Sequence, residues 1–448
     1  MCFYHRRMTD EEMGRLMALL AVPSISAMPQ HADDMKTAAA MVAEEIRLAG
    51  GMAEVIVTSG HPLVVGEVPP SNGDPDAPVV LIYGHYDVQP PGNPSLWSSP
   101  PFEPTARGDN LYCRGASDDK GNLFMLLVAL QRMRAAGRLR VRARVLVDGE
   151  EESGGHSAAD WVAQDPRPPR AAVIFDSPMV GPGRPAVCTG LRGLAYYRVR
   201  VRGATADLHS GMHGGAALNA AHVLMTVLSA VTPVDGRVPS ALSEGVLAPT
   251  PAEVESWRTL PNGAGLLTAA GGRPADSQAA DEYHLRTTML SAVDVHGIRT
   301  GNPDVVATTI PATAEATLSM RVPPGGSADH LATVLEGMLR AAAPAGCDLE
   351  IEGLGVAGAS RIDPDDPVIR AAMAGIEAGT GMPVTPVGIG GSIPVVAAMA
   401  ARGTSVVLSG FALPDDGYHS PDEHLRVSHL GLGVKAAEGI LDALADLR

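Results

Sequence analysis

Four short apolar runs constrain this chain more than any other feature: PVVLIYG (78–84), RVLVDG (144–149), AAVIFDS (171–177) and TSVVLSG (404–410). Each is rich in Val or Ile and lacks the alternation of a half-exposed strand, so each suits a strand covered on both faces. NLFMLLVALQRMRAAG (122–137) reads as a helix between the first two. TDEEMGRLMALLAVPSIS reads as another, with Thr9 as N-cap and acids in its first turn. DDMKTAAAMVAEEIRLAGG is a further helix, ended by Gly50 and Gly51. Strands alternating with helices predict an α/β catalytic domain with a central, mostly parallel sheet flanked by helices. Aromatics make up only 4% of the chain, so the core must be Ala, Val, Leu, Ile and Met.

The middle of the chain has a different pattern. GLAYYRVRVRGA (193–204) alternates apolar and polar residues as an antiparallel strand with one wet face does, and EATLSMRV (315–322) is similar. A Gly/Pro/Ala-rich stretch lies near 247–280. These segments predict an inserted α+β domain over 191–322, with the α/β domain formed by 8–190 and 323–448.

Composition narrows the function. A net charge of −16 argues against nucleic-acid or anionic-membrane partners, which require a basic surface. The four cysteines, Cys2, Cys113, Cys188 and Cys347, form no CxxC pair and suggest neither a disulfide framework nor a thiolate zinc site. The start, MCFYHRRMTDEEM, lacks the apolar core of a signal peptide. No apolar run approaches the roughly 20 residues that span a bilayer. The expectation is a cytoplasmic protein, with Met8 a candidate start and the first seven residues a disordered extension.

Each strand candidate ends in a potential metal ligand. GHYDVQP supplies His85 and Asp87, DGEEESGG supplies Glu150, Glu151 and Glu152, and VIFDSP supplies Asp176. His419 follows the last run after a short loop, and Asp118 and Asp119 open the long helix. Singly, each has an ordinary explanation: EEE as a solvated loop, DD as a helix start, a histidine as a polar packing group. Their recurrence at successive strand ends is different, because active sites of open α/β sheets form outside the carboxyl ends of the strands. Carboxylates gathered there repel one another unless cations intervene. Two histidines with several carboxylates suit Zn2+, Mn2+ or Co2+ better than Ca2+. One carboxylate bridging two ions would set them roughly 3.5–4 Å apart. Of the three glutamates, one would bind metal, one would handle the proton of an attacking water, and one would be spare.

GHYDVQP, WSSPPFEPTARGDNLYCRGASDDKGN, DGEEESGG, GGSIP and YHSPDE, taken together and in order, resemble the di-metal peptidases. That family includes carnosinases, aminoacyl-His-type dipeptidases, glutamate carboxypeptidase, aminoacylase, and the acetylornithine and succinyl-diaminopimelate deacylases. The resemblance implies that His85 and Asp176 hold one divalent ion, Glu152 and His419 the other, and that Asp118 bridges both. It implies Glu151 as general base and Asp87 as the group that fixes the His85 tautomer. Glu150 stands where the family usually has an apolar residue and is the spare glutamate. The inserted domain resembles the family's lid and dimerisation domain. ATADLHSGMHGG would place His209 at the partner subunit's active site, to polarise the scissile carbonyl or stabilise the oxyanion. His213 matches no family ligand and reads as structural. LSMRVPPG would make Arg321 the ligand of the substrate carboxylate, with Gly390, Gly391 and Ser392 at the same end.

Some positions depart from the family. Gly388 and Ile389 replace the Arg-Glu that often precedes GGSIP. Cys113 replaces the usual Gly of LYGRG, which would place a reactive thiol near the metal site. Asp at 176, rather than Glu, goes with dipeptidases and aminopeptidases in this family. The expectation is a dipeptidase acting on small peptides with a free C-terminal carboxylate, the alternatives being an N-acyl-amino-acid deacylase and a non-catalytic binding homologue. No ligand or base that the last class would lose is missing.

Overall fold

The computed structural model describes residues 8–447. Cys2 and the expected N-terminal extension lie outside them. The chain divides into two compact units, the first formed by the N-terminal part to Thr189 with Ile362–Val387 and the segment from Pro394 onward, the second by Gly190–Arg361 with Gly388–Ile393.

The first unit is built on a six-stranded sheet. Across it the strands run Met52–Ile56, Leu63–Val68, Arg142–Asp148, Val79–His85, Ala171–Phe175 and Ser405–Ser409. The last four are mutually parallel, and the first two join antiparallel at one edge. The four apolar runs form these parallel strands, and their central residues are almost fully buried. The two edge strands were not singled out in the sequence; their apolar runs are short, interrupted by Glu54 in Met52–Ile56 and by Gly66 and Glu67 in Leu63–Val68. Helices Asp10–Leu20, Ala32–Leu48, Lys120–Ala135 and Val427–Leu444 complete the layers. Thr9 caps the first of them as expected. Its hydroxyl accepts from Glu12 N–H at 3.2 Å, and Glu12 accepts from Thr9 N–H at 2.7 Å.

The second unit has a four-stranded antiparallel sheet in the order Ala292–Thr300, Thr313–Val322, Gly193–Arg202, Asp348–Ala357. It extends past the boundary expected at 322. Strand Asp348–Ala357 pairs along Gly193–Arg202, and helix Ala328–Ala342 places Leu331, Leu335 and Leu339 in the same apolar core as Val199, Leu318 and Met320. A pairing between strands 150 residues apart leaves no local mark on DLEIEGLGVA, so the sequence alone placed this segment with the first unit. The segment Gly388–Ile393 also belongs to the second unit.

Helices Pro367–Thr380 and Val427–Leu444 cross through glycines. A Cβ added at Gly375 would lie 2.4 Å from the Gly439 carbonyl oxygen, and one at Gly439 would lie 2.0 Å from that of Gly375. Gly375→Val should therefore destabilise the protein by about 1–3 kcal/mol through overpacking, read as a lower urea midpoint. Gly337→Ala is the control: it lies inside helix Ala328–Ala342 with nothing within 4 Å of an added Cβ. It should be neutral or stabilising by about 0.5–1 kcal/mol.

Candidate metal centre

The parallel strands deliver their terminal residues to one edge of the sheet. His85 is the last residue of its strand, Asp176 follows Phe175, and Glu151–Ser153 form one turn after strand Arg142–Asp148. Asp118 lies two residues before helix Lys120–Ala135, and His419 sits at φ 53° in the loop beyond strand Ser405–Ser409. His85 Nε2 lies 3.2 Å from Asp118 Oδ1 and 4.0 Å from Asp176 Oδ1. His419 Nε2 lies 3.0 Å from Asp118 Oδ2 and 3.2 Å from Glu152 Oε2. Two donor sets result, His85–Asp118–Asp176 and Asp118–Glu152–His419, with the donor atoms of each within 4.8 Å of one another. Asp118 belongs to both.

The electrostatics of this cluster ask for cations. Burial and the neighbouring Asp119 carboxylate push Asp176 well above the usual carboxylate range. Burial also drives Glu151 up, with His85 opposing and Asp176 and Glu152 adding to it. For Asp118 burial acts upward, but the hydrogen bond with His419 and the close His85 imidazole outweigh it and hold the carboxyl below its ordinary range. His419 is raised to about 10 by its bonds to Asp118 and Glu152. Protonated imidazole therefore supplies positive charge that divalent ions would otherwise bring. His85 Nε2 and Glu152 Oε1 are buried and have no hydrogen-bond partner among the described residues. Unpartnered buried donors facing a shared carboxylate fit metal ligation.

The surrounding groups fix these donors. His85 Nδ1 lies 3.1 Å from the Asp87 carbonyl and 3.4 Å from its carboxylate Oδ1, so the carbonyl is the nearer acceptor for an Nδ1 proton. That arrangement leaves the Nε2 lone pair toward Asp118 and Asp176. The other Asp87 oxygen accepts from Glu152 N–H at 3.0 Å, tying the two strand ends together. Glu150 is buried but stands outside both donor sets.

Several contributors were quoted in the motifs without a role. Gln89 donates to Glu152 Oε2 at 2.9 Å. Asp119 makes no capping bond; its carboxylate accepts from His85 N–H at 3.2 Å. Glu423, the last letter of YHSPDE, is fully buried and accepts from Arg114 Nη1 at 2.6 Å and from Gly115, Ser117 and Asp118 N–H at 2.9–3.1 Å. An acid inside a motif already rich in ligands was the available signal, but its partner lies 309 residues away.

Cys113 differs from expectation. It is fully buried, its thiol donates to the Pro101 carbonyl at 3.2 Å, and burial pushes its pKa up to about 12. A thiol held protonated and out of solvent is inert to thiol reagents.

His209, Arg321, Gly390, Gly391 and Ser392 belong to the second unit. There Arg321 Nη1 lies 3.5 Å from Ser392 Oγ. His209 is exposed, and its Nδ1 accepts from Gly211 N–H at 3.0 Å, which leaves Nε2 to carry the proton. His213 is also exposed. Among the described residues no helix is long and apolar enough to cross a membrane.

A cysteinylglycine-S-conjugate dipeptidase from Corynebacterium striatum is 32% identical over 441 residues, covering 93% of this chain and 92% of the relative. A Cys-Gly metallodipeptidase from Saccharomyces cerevisiae is 28% identical over 385 residues, covering 82% and 79%. The solved structure of a metallo-carboxypeptidase from Sulfolobus solfataricus superimposes with a TM-score of 0.88 at 25% identity, covering 98% of this chain and 100% of that one. Residues 81–443 match the sequence pattern of peptidase family M20/M25/M40. The chain therefore belongs to peptidase family M20/M25/M40 and is a metallopeptidase.

Proposed function

We propose that the protein is a metal-dependent dipeptidase, hydrolysing the amide bond of dipeptides or short peptides with a free C-terminal carboxylate. The observation that carries this reading is the pair of donor sets sharing Asp118, with the carboxylate of Glu151 beside them and in neither. The dipeptidases among the relatives support the substrate class. His85 and Asp176 would hold one divalent ion, Glu152 and His419 the other, and Asp118 would bridge them. Zn2+ is the favoured ion, with Mn2+ and Co2+ as alternatives, because imidazole with carboxylate suits all three. Bound there, such ions polarise a carbonyl and acidify water.

The protein's own groups do the rest. Glu151 accepts the proton of the attacking water and returns it to the leaving amine. Asp87 keeps His85 oriented. Arg321 pairs with the substrate's C-terminal carboxylate, and Gly390, Gly391 and Ser392 contribute main-chain and hydroxyl contacts beside it. In a homodimer, His209 from the partner subunit would offer its Nε2 proton to the developing oxyanion. The reading places the enzyme in the cytoplasm, as a catalytic domain with an inserted lid and dimerisation domain.

Glu151→Gln should keep both ions, counted by elemental analysis, and lose about 10²–10⁴-fold in turnover. Full activity in that variant would remove Glu151 from its role. Glu423→Gln should weaken metal binding by about 10–100-fold in a chelator competition, because the Asp118 backbone loses its anchor while the ligands remain. Unchanged affinity would show that the loop holds itself. The substrate class is tested with unblocked dipeptides against matched N-acetyl amino acids, on metal-stripped protein reloaded with Zn2+, Mn2+ or Co2+. Metal-dependent cleavage of the dipeptides alone is expected, and cleavage of the acyl compounds alone would make the protein a deacylase.

A further inference from the structure

The second unit contains a cavity of about 600 Å3. That volume lies in the range of small-molecule sites. Val238, Val246, Leu267 and Leu290 supply apolar wall, and Arg192 and Asp294 also line it. Every lining residue falls within the second unit.

Arg192 differs from the other arginines there. Arg286 is neutralised by Asp276 at 2.5 Å and Glu282 at 2.7 Å, and Arg237 also pairs with Glu282. Arg273 is exposed. Arg192 donates only to main-chain carbonyls, from Nε to Gly390 at 3.2 Å and from Nη1 to Arg286 and Leu290 at 3.3 Å each. Among the described residues it forms no ion pair. Burial and the nearby Arg321 guanidinium press its pKa down to about 10, while Asp294 opposes them. A largely buried guanidinium with no carboxylate on it, opening on an apolar cavity, is an uncompensated charge that an anion would relieve.

We propose that this cavity binds a small organic carboxylate with an apolar body, its head on Arg192 and its body against Val238, Val246, Leu267 and Leu290. Nη2, which makes no hydrogen bond among the described residues, is the nitrogen left to meet a carboxylate oxygen. A phosphate dianion fits less well, because the Asp294 carboxylate lines the same space and would repel a second negative charge. The ligand has two sources with the same chemistry: a free carboxylate, or the C-terminal carboxylate of a peptide substrate, shared with the neighbouring Arg321. The second is suggested by the bond from Arg192 to Gly390, in the segment assigned above to substrate binding.

The test uses full-length, metal-loaded protein with 4-phenylbutyrate and its amide, 4-phenylbutanamide, in titration calorimetry. The acid should bind at least about tenfold more tightly than the amide, as expected for a charge-assisted contact. Arg192→Gln should remove that preference while the melting temperature stays near wild type. Asp294→Asn should tighten the acid severalfold, which keeps the proposal testable if the arginine variant misfolds. Absence of binding, equal affinity for acid and amide, a preference that survives Arg192→Gln, or no gain with Asp294→Asn would overturn it. Inhibition of dipeptide hydrolysis then separates the sources. A competitive pattern lost in Arg192→Gln assigns the cavity to the substrate's C-terminal residue, and a non-competitive pattern lost in the same variant assigns it to a free ligand.

Discussion

The carboxylate of Glu423 is fully buried and receives hydrogen bonds from the Arg114 guanidinium, the Ser117 hydroxyl and the backbone N–H groups of Gly115, Ser117 and Asp118. A buried charge survives only when it is so well satisfied, and removing one side of such a pair typically costs about 3–5 kcal/mol. Here the pairing holds the loop before helix Lys120–Ala135 against the loop that carries His419. Asp118 and His419 are thereby brought within 3.0 Å. The sharing of Asp118 between two donor sets depends on this anchor, because nothing local to GASDDKG dictates where that loop lies.

Around this anchor the site concentrates negative charge that the fold alone does not neutralise. Asp119, Glu151 and Asp176 are all driven above their ordinary range, each first by burial. A protein selected only for stability would replace such a cluster with apolar residues. Its retention beside two imidazoles, with unpartnered buried donor atoms, is the physical signature of a cation site. The groups behind the donors matter equally. Asp87 orients an imidazole through its carbonyl and pins the glutamate turn through its carboxylate, so one residue registers two strand ends.

The second unit solves a different problem. Its sheet buries one face against helices Ala220–Ser229 and Ala328–Ala342, and the other face carries Leu194, Tyr196, Arg198, Arg200 and Arg202 along Gly193–Arg202. Arg192 and Arg321 lie at the same end of its adjacent strands, next to Gly193 and opposite Leu194 respectively. Two guanidiniums placed together with no ion pair among the described residues are costly in a folding unit and useful in one that receives anions.

Much of the fold was legible because its signals are local. Val79–His85, Ala171–Phe175 and Ser405–Ser409 are continuous apolar runs, and burial on both faces follows from that composition. Thr9 and Glu12 announce their helix within four residues. The five candidate ligands were legible for the same reason, each standing in a recognisable motif at or after a strand end or just before a helix. Cys113 was misjudged because exposure is not a local property: the same thiol would be reactive in a loop and is inert under Pro101 and Leu20. By itself the sequence determined which short segments become strands and helices and which side chains arrive at their ends, since both are set by patterns a few residues long. Only the tertiary structure decided that Glu423 meets Arg114, that Asp348–Ala357 closes the second sheet, and that Arg192 lines a cavity with no ion pair among the described residues. Those outcomes depend on contacts between residues far apart in the chain, whose energies exist only once the layers have packed.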